Sequence, residues 1–245
     1  MVSSLCLPVC WLNINAVMLR NRDMKRQAVC FMNGEPRSLP LSHGGNLLQG
    51  SLGRSQTGDV VMERKPPRLI GESIPFKRIV RMIDRFARCD ATVLIKGETG
   101  TGKELSARAI HYLGQRRSNP FVAVNCGALP DTLVESELFG YQKGAFTGAK
   151  EAHSGLIAEA EMGTLFLDEI DSLPTKAQAT LLRFLQDQTY RPLGSAQEKR
   201  GNVRIIAAAS NRFDRLVEEK VFREDLAYRL AVLDMTLPPL RERPG

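Results

Sequence analysis

No two of the five cysteines, Cys6, Cys10, Cys30, Cys89 and Cys126, stand at CxxC spacing, and no histidine follows any of them at zinc-finger spacing. That excludes the common structural zinc sites. An odd cysteine count in 245 residues argues against a disulfide framework and fits a reducing compartment, so a cytoplasmic location is expected. No internal repeat is visible. The apolar stretch at residues 2–19 lacks the basic start of a secretory leader, is interrupted by Asn13 and Asn15, and is followed rather than preceded by charge. It is also marginal in length for a membrane span, and is read as local structure, with no membrane association expected.

Charge is unevenly spread. Residues 1–70 hold nine Lys or Arg against four Asp or Glu, and so carry +5 of the formal +7. The basic excess lies in a front segment without periodic pattern, which reads as a solvated tail more readily than as a nucleic-acid or lipid contact. Residues 34–68 are rich in Gly, Ser and Pro and read as a linker between an unassigned segment at 1–33 and a folded domain at 69–245.

From residue 75 to 90 apolar side chains recur at Phe76, Ile79, Val80, Ile83, Phe86 and Ala87, which is helical spacing. Five short apolar runs follow, at 92–95, 121–124, 164–167, 203–208 and 232–237. Each is nearly continuous, as expected of strands covered on both faces. Helical patterns such as 103–113 and 175–186 separate most of them. The alternation implies an α/β fold: a five-stranded parallel sheet with helices on both faces, whose ligands sit at the carboxyl ends of the strands.

The first strand runs into Gly97, Glu98, Thr99, Gly100, Thr101, Gly102, Lys103 and Glu104, after which a helix begins. This is the GxxxxGK spacing of a phosphate loop. Glycines let backbone N–H groups close around phosphate oxygens, the helix N-terminus adds partial positive charge, and Lys103 supplies a full one. The usual Ser or Thr after the lysine, which meets Mg²⁺, is missing; Glu104 stands there. The third strand ends in Asp168 and Glu169, an acidic pair suited to holding Mg²⁺ through water and polarising an attacking water.

Asn125 follows the second strand and Asn211 the fourth. Each is either a turn residue or an amide that orients water or senses a γ-phosphate, and both strands are expected to flank the phosphate loop. Arg223 and Arg229 either pair with Glu219, Glu224 or Asp225 on the surface, or act as arginine fingers on a neighbouring subunit. Residues 143–150 contain no acid and no metal ligand. They are an ordinary turn, or a glycine-hinged loop that presents Phe146 and Thr147 to a partner.

Taken together, GETGTGKE at 97–104, ESELFGYQKGAFTGA at 135–149, GTLFLDEID at 163–171, FREDLAYRL at 222–230 and LPPLRER at 237–243 resemble the bacterial enhancer-binding proteins, AAA+ ATPases that remodel sigma-54 RNA polymerase. The resemblance covers roughly residues 70–243, and Glu after the lysine agrees with that family's pattern. It implies ATP and Mg²⁺ as cofactors, with Lys103 on the phosphates and Asp168 on the metal. Glu169 would be the catalytic acid, Asn125 its switch, Asn211 the sensor, and Arg223 with Arg229 the trans fingers. Gly144, Ala145, Phe146, Thr147, Gly148 and Ala149 would contact sigma-54. A homo-oligomer is implied, a hexameric ring. The helical lid and helix-turn-helix domain that follow this core in the family are not expected here, since the sequence stops at Gly245, and so neither is direct sequence-specific DNA binding. The reading of a different class is a fragment that binds nucleotide or sigma-54 without turnover; steady-state ATPase activity separates the two.

Overall fold

A computed structural model describes residues 66–243 and two short strands, Cys30–Met32 and Glu35–Arg37. The chain divides into two units, Met1–Asp59 and Val60–Gly245. In the first, the two short strands pair antiparallel, Cys30 opposite Arg37. Glu35–Arg37 thus forms a strand within the range expected as linker. The apolar stretch at 2–19 and the remainder of 34–65 lie outside the described residues.

The second unit opens with helix α1 (Ile74–Ala87), capped by Ser73, whose hydroxyl accepts from Phe76 N at 3.4 Å. Its apolar stripe buries Phe76, Ile79, Ile83 and Ala87. Five parallel strands form the sheet: β1 (Val93–Lys96), β2 (Phe121–Asn125), β3 (Thr164–Asp168), β4 (Arg204–Ala209) and β5 (Leu233–Thr236). Their spatial order is β2-β3-β4-β1-β5. Helices α2 (Lys103–Tyr112), α3 (Val134–Phe139), α4 (Leu156–Glu159), α5 (Thr175–Asp187), α6 (Phe213–Glu218) and α7 (Glu224–Leu230) complete the unit.

Strand side chains alternate between faces, and the core divides accordingly. Leu94, Leu165, Leu167, Ile205 and Ala207 join one cluster with α3, α5 and α7. Val93, Ile95, Phe166, Ile206 and Ala208 join the other, with α1 and α2. Helices therefore cover both faces, as the alternation implied.

The expectation that every strand is covered on both sides holds for β1, β3 and β4 only. β2 and β5 are the sheet edges, and each leaves part of its length open to solvent. A second correction follows from the order. β4 flanks β1, but β2 does not: β3 and β4 stand between them. The strand carrying Asn125 therefore neighbours the acidic strand, not the phosphate loop.

Phe166 sits at the sheet centre, 1% exposed, with its ring stacked on Phe121 at 6.1 Å between centroids. Phe166→Ala leaves a cavity there and should destabilise the fold by about 3–5 kcal/mol, read as a shift of the denaturation midpoint at unchanged slope. A midpoint within error of the parent would refute this placement of the core.

Candidate functional site

The phosphate loop is shaped by two backbone positions. Gly100 and Gly102 adopt φ of +80° and +91°, in the left-handed region that side chains resist, and open space surrounds both. Gly102 is the N-cap of α2 and offers no side-chain cap, so the first-turn amides of that helix keep their donors for a ligand. Beneath the loop, Thr101 is buried and its hydroxyl donates to Glu98 O at 2.7 Å. Lys103 Nζ donates to Gly97 O at 3.0 Å and Glu98 O at 3.2 Å, folded against its own loop. Glu104 pairs with Arg108 one turn along α2, at 2.8 Å.

A cavity of about 520 Å³ opens over this loop. Its walls bring Thr99, Gly100, Gly102, Lys103 and Glu104 together with Asp168 and Glu169. The acids arrive there because β3 lies two strands from β1 in a parallel sheet, with the carboxyl ends aligned. Gly97, Glu98, Thr101, Asn125 and Asn211 do not line the cavity.

Asp168 Oδ1 accepts from Glu169 N at 3.0 Å. Burial raises its carboxyl above the usual range, against the opposing pull of that amide and of Lys103. Glu169 adopts φ +52°, uncommon for a residue with a side chain, and its carboxylate pairs with no described residue. It reaches over Gly127, where a Cβ would collide with Oε2. Asn125 faces the same glycine: its Oδ1 accepts from Gly127 N at 2.8 Å and Ala128 N at 3.2 Å. Asn125 is thus a cap, the bland alternative, yet one placed beside the Glu169 carboxylate.

The field of the acids is visible on Cys126. Burial first, then Asp168, Glu169 and Asp171, push its thiol up to about 12, so it stays protonated and is no nucleophile. A group of acids around a half-buried aspartate, facing a lysine, fits a divalent cation held with a polyphosphate.

Sequence reasoning missed five wall residues: Leu105, Asp171, Ser172, Ser210 and Arg212. Asp171 accepts from the Ser210 hydroxyl at 2.6 Å, linking the end of β3 to the end of β4, and Arg212 stands beside them. The signal was present in the carboxylate three places after Asp168 and the hydroxyl before Asn211. Their pairing depends on β3 and β4 being neighbours.

Arg223 lies elsewhere. With Lys96, Asp214 and Tyr228 it lines a separate groove of about 800 Å³, and it forms a two-pronged pair with Asp225 at 2.7 and 3.0 Å. Arg229 is exposed and forms no ion pair with a described residue. Neither lines the cavity that holds Lys103.

The loop at 144–149 is closed by Gly144 N donating to Ala149 O at 2.9 Å, with Gly144 and Gly148 at φ +82° and +112°. Ala149 is buried, while Gly144, Thr147 and Gly148 are exposed. Phe146 is 41% exposed and leans on Tyr141, ring centroids 5.0 Å apart. Ala145 packs against Gly194, where any side chain would clash.

The sequence pattern of the Sigma-54 interaction domain matches residues 69–236. The chain belongs to the sigma-54 interaction domain family. It is 50% identical over 175 residues to the DNA-binding transcriptional regulator NtrC of Rhizobium meliloti, covering 71% of this chain and 36% of that protein. It is 53% identical over 159 residues to the regulatory protein AtoC of Escherichia coli, covering 65% and 34%. NtrX from Brucella abortus, in a crystal structure with ATP, matches with a TM-score of 0.67 at 35% identity, over 72% of this chain and 38% of that one. The chain thus spans about a third of the length of these relatives. Among the described residues, no helix is long and apolar enough to cross a membrane.

Proposed function

We propose that this chain is the ATP-binding and ATP-hydrolysing core of a sigma-54-dependent transcriptional activator. It remodels the sigma-54 RNA polymerase holoenzyme through residues 144–149. The observation that carries the reading is the convergence of the glycine loop, Lys103, Asp168 and Glu169 on one cavity, in a family named for sigma-54 interaction. In this reading residues 69–245 are the AAA+ core, 34–68 a linker, and the protein acts in the cytoplasm as a homo-oligomeric ring.

The phosphates of ATP lie against the α2 amides, and Lys103 leaves the carbonyls of Gly97 and Glu98 to meet them. Asp168 would hold Mg²⁺ through water, and the ion would supply charge neutralisation for the transferred phosphoryl group. Glu169 orients the attacking water, and Asn125, beside it over Gly127, is positioned to bias its carboxylate. Asn211 reports the phosphate state from the end of β4, next to the Ser210–Asp171 link.

Lys103→Ala should weaken binding of a fluorescent ATP analogue by roughly a hundredfold or more, the loss of a fully engaged, charge-assisted contact. Equal affinity in mutant and parent would move the site elsewhere. In this reading Arg223 and Arg229, which do not line the cavity, serve a neighbour's nucleotide. Arg223→Ala should leave ATP binding intact and cut hydrolysis by about 10³-fold. Mixing it with Lys103→Ala should restore part of the rate, since each subunit completes the other's interface. No rescue at any mixing ratio would exclude action in trans.

A further inference from the structure

The segment after β5 is bound to the phosphate loop at every turn. Leu237 N donates to Lys96 O at 2.8 Å, extending the β1–β5 pairing to the residue before Gly97. Arg241 then reaches back to Glu98 with two parallel bonds, Nη1 to Oε2 at 2.7 Å and Nη2 to Oε1 at 2.8 Å. Arg243 Nη2 donates to Thr101 O at 3.1 Å, and its Nε to Pro238 O at 2.9 Å. Two arginines on one short segment thus hold two residues of the loop, and none of the four lines the cavity.

Glu98 is the reason such a hold matters. It is an acid inside a loop built to receive phosphates, and unlike Glu104 it precedes the helix. Its carbonyl already lies 3.2 Å from Lys103 Nζ, so its carboxylate is one side chain's reach from the same ammonium. Unrestrained, that carboxylate competes with a phosphate for Lys103 and repels the phosphate itself. A fork-shaped pair fixes the plane of a carboxylate as well as its charge, which a single-point contact does not. Glu98 is accordingly absent from the cavity wall, although its neighbour Thr99 belongs to it.

We propose that Arg241 is a positioning residue for nucleotide binding: it holds the Glu98 carboxylate out of the phosphate site and so keeps Lys103 available to the nucleotide. The proposal rests on the reading of the cavity as an ATP site. Arg243 steadies the loop at Thr101 without a charge partner there, so the electrostatic task falls to Arg241.

The test measures dissociation constants of fluorescent ATP and ADP analogues for the parent, Arg241→Ala, Arg241→Lys, Glu98→Gln and the double variant Arg241→Ala/Glu98→Gln. Arg241→Ala should weaken ATP binding roughly five- to tenfold, and ADP binding less, because the freed carboxylate repels the more highly charged ligand more. Arg241→Lys, which keeps the charge but loses the fork, should fall between. The double variant should return to within about twofold of Glu98→Gln alone, because no carboxylate remains to be held off. A merely structural role for Arg241 predicts the opposite, that removing Glu98 leaves the defect in place. Unchanged affinity in Arg241→Ala, or failure of Glu98→Gln to rescue it, overturns the proposal while the site reading stands. Absence of ATP binding by the parent removes the site reading, and the proposal with it.

Discussion

Replacing Glu169 with Gln should leave ATP bound as tightly as in the parent and lower steady-state hydrolysis by about 10²–10⁴-fold, the usual contribution of a positioned general base. The substitution keeps the shape that passes over Gly127 and removes only the basic oxygen. Glu169 is suited to this role by what it lacks: its carboxylate pairs with no described residue, so it is not neutralised by a salt bridge. Its left-handed backbone marks a residue held against local preference, which is common where geometry serves chemistry. Binding by an equilibrium method and phosphate release by a coupled assay, on the same preparations, separate the two quantities. Equal turnover in mutant and parent removes Glu169 from the chemistry. A parent that binds ATP but releases no phosphate favours the binding-only reading instead.

Legibility in the sequence followed the range of the interaction. The phosphate loop and the acidic pair were readable because each is a contiguous run whose function depends on its own backbone. The glycines at 100 and 102 are required by a local turn, and Asp168 and Glu169 by the end of a strand. The strands were readable from their apolar runs, continuous where β1, β3 and β4 are buried and weaker at the edges β2 and β5, and their ends shifted by only a residue or two. Strand order was not readable. Placing Asn125 beside the phosphate loop needed β2 next to β1, and the strand order of this sheet puts β3 and β4 between. The Ser210–Asp171 link and the Arg241–Glu98 pair were missed for the same reason: each joins residues whose proximity depends on which strands are neighbours. The two arginines show the limit in another form. Both were read as surface pairs or fingers, and the structure gives Arg223 a partner in Asp225 while leaving Arg229 unpaired among the described residues.

Thr147→Ala should leave ATP hydrolysis within about threefold of the parent and abolish capture of sigma-54 in the presence of a nucleotide transition-state analogue. The first half follows from position. The loop holds no group able to act on phosphate, and it lies outside the walls of the nucleotide cavity. The second half follows from exposure. Thr147 is open to solvent, its hydroxyl bonds to no described residue, and its removal disturbs none of the backbone bonds that close the loop. Its side chain is therefore available to a partner and of little use to the fold, so thermal stability should stay within about 0.5 kcal/mol of the parent. In the proposed reading, a chain of neighbouring residues links the cavity to the loop. Glu169 and Asn125 both approach Gly127, the chain then continues to α3, and Gly140 at the end of α3 accepts a hydrogen bond from Leu193, beside the Gly194 that packs on Ala145. A shift of the Glu169 carboxylate on loss of a phosphate can thus reach the base of the loop through packed backbone. Phe146 leans on Tyr141 at that base, so its exposure would change with any movement there. Co-purification with sigma-54, run beside the ATPase assay on the same variant, decides the matter. If Thr147→Ala still captures sigma-54, residues 144–149 are not the coupling element, and the activator reading loses the feature that distinguishes this chain from other ATPases built on the same sheet.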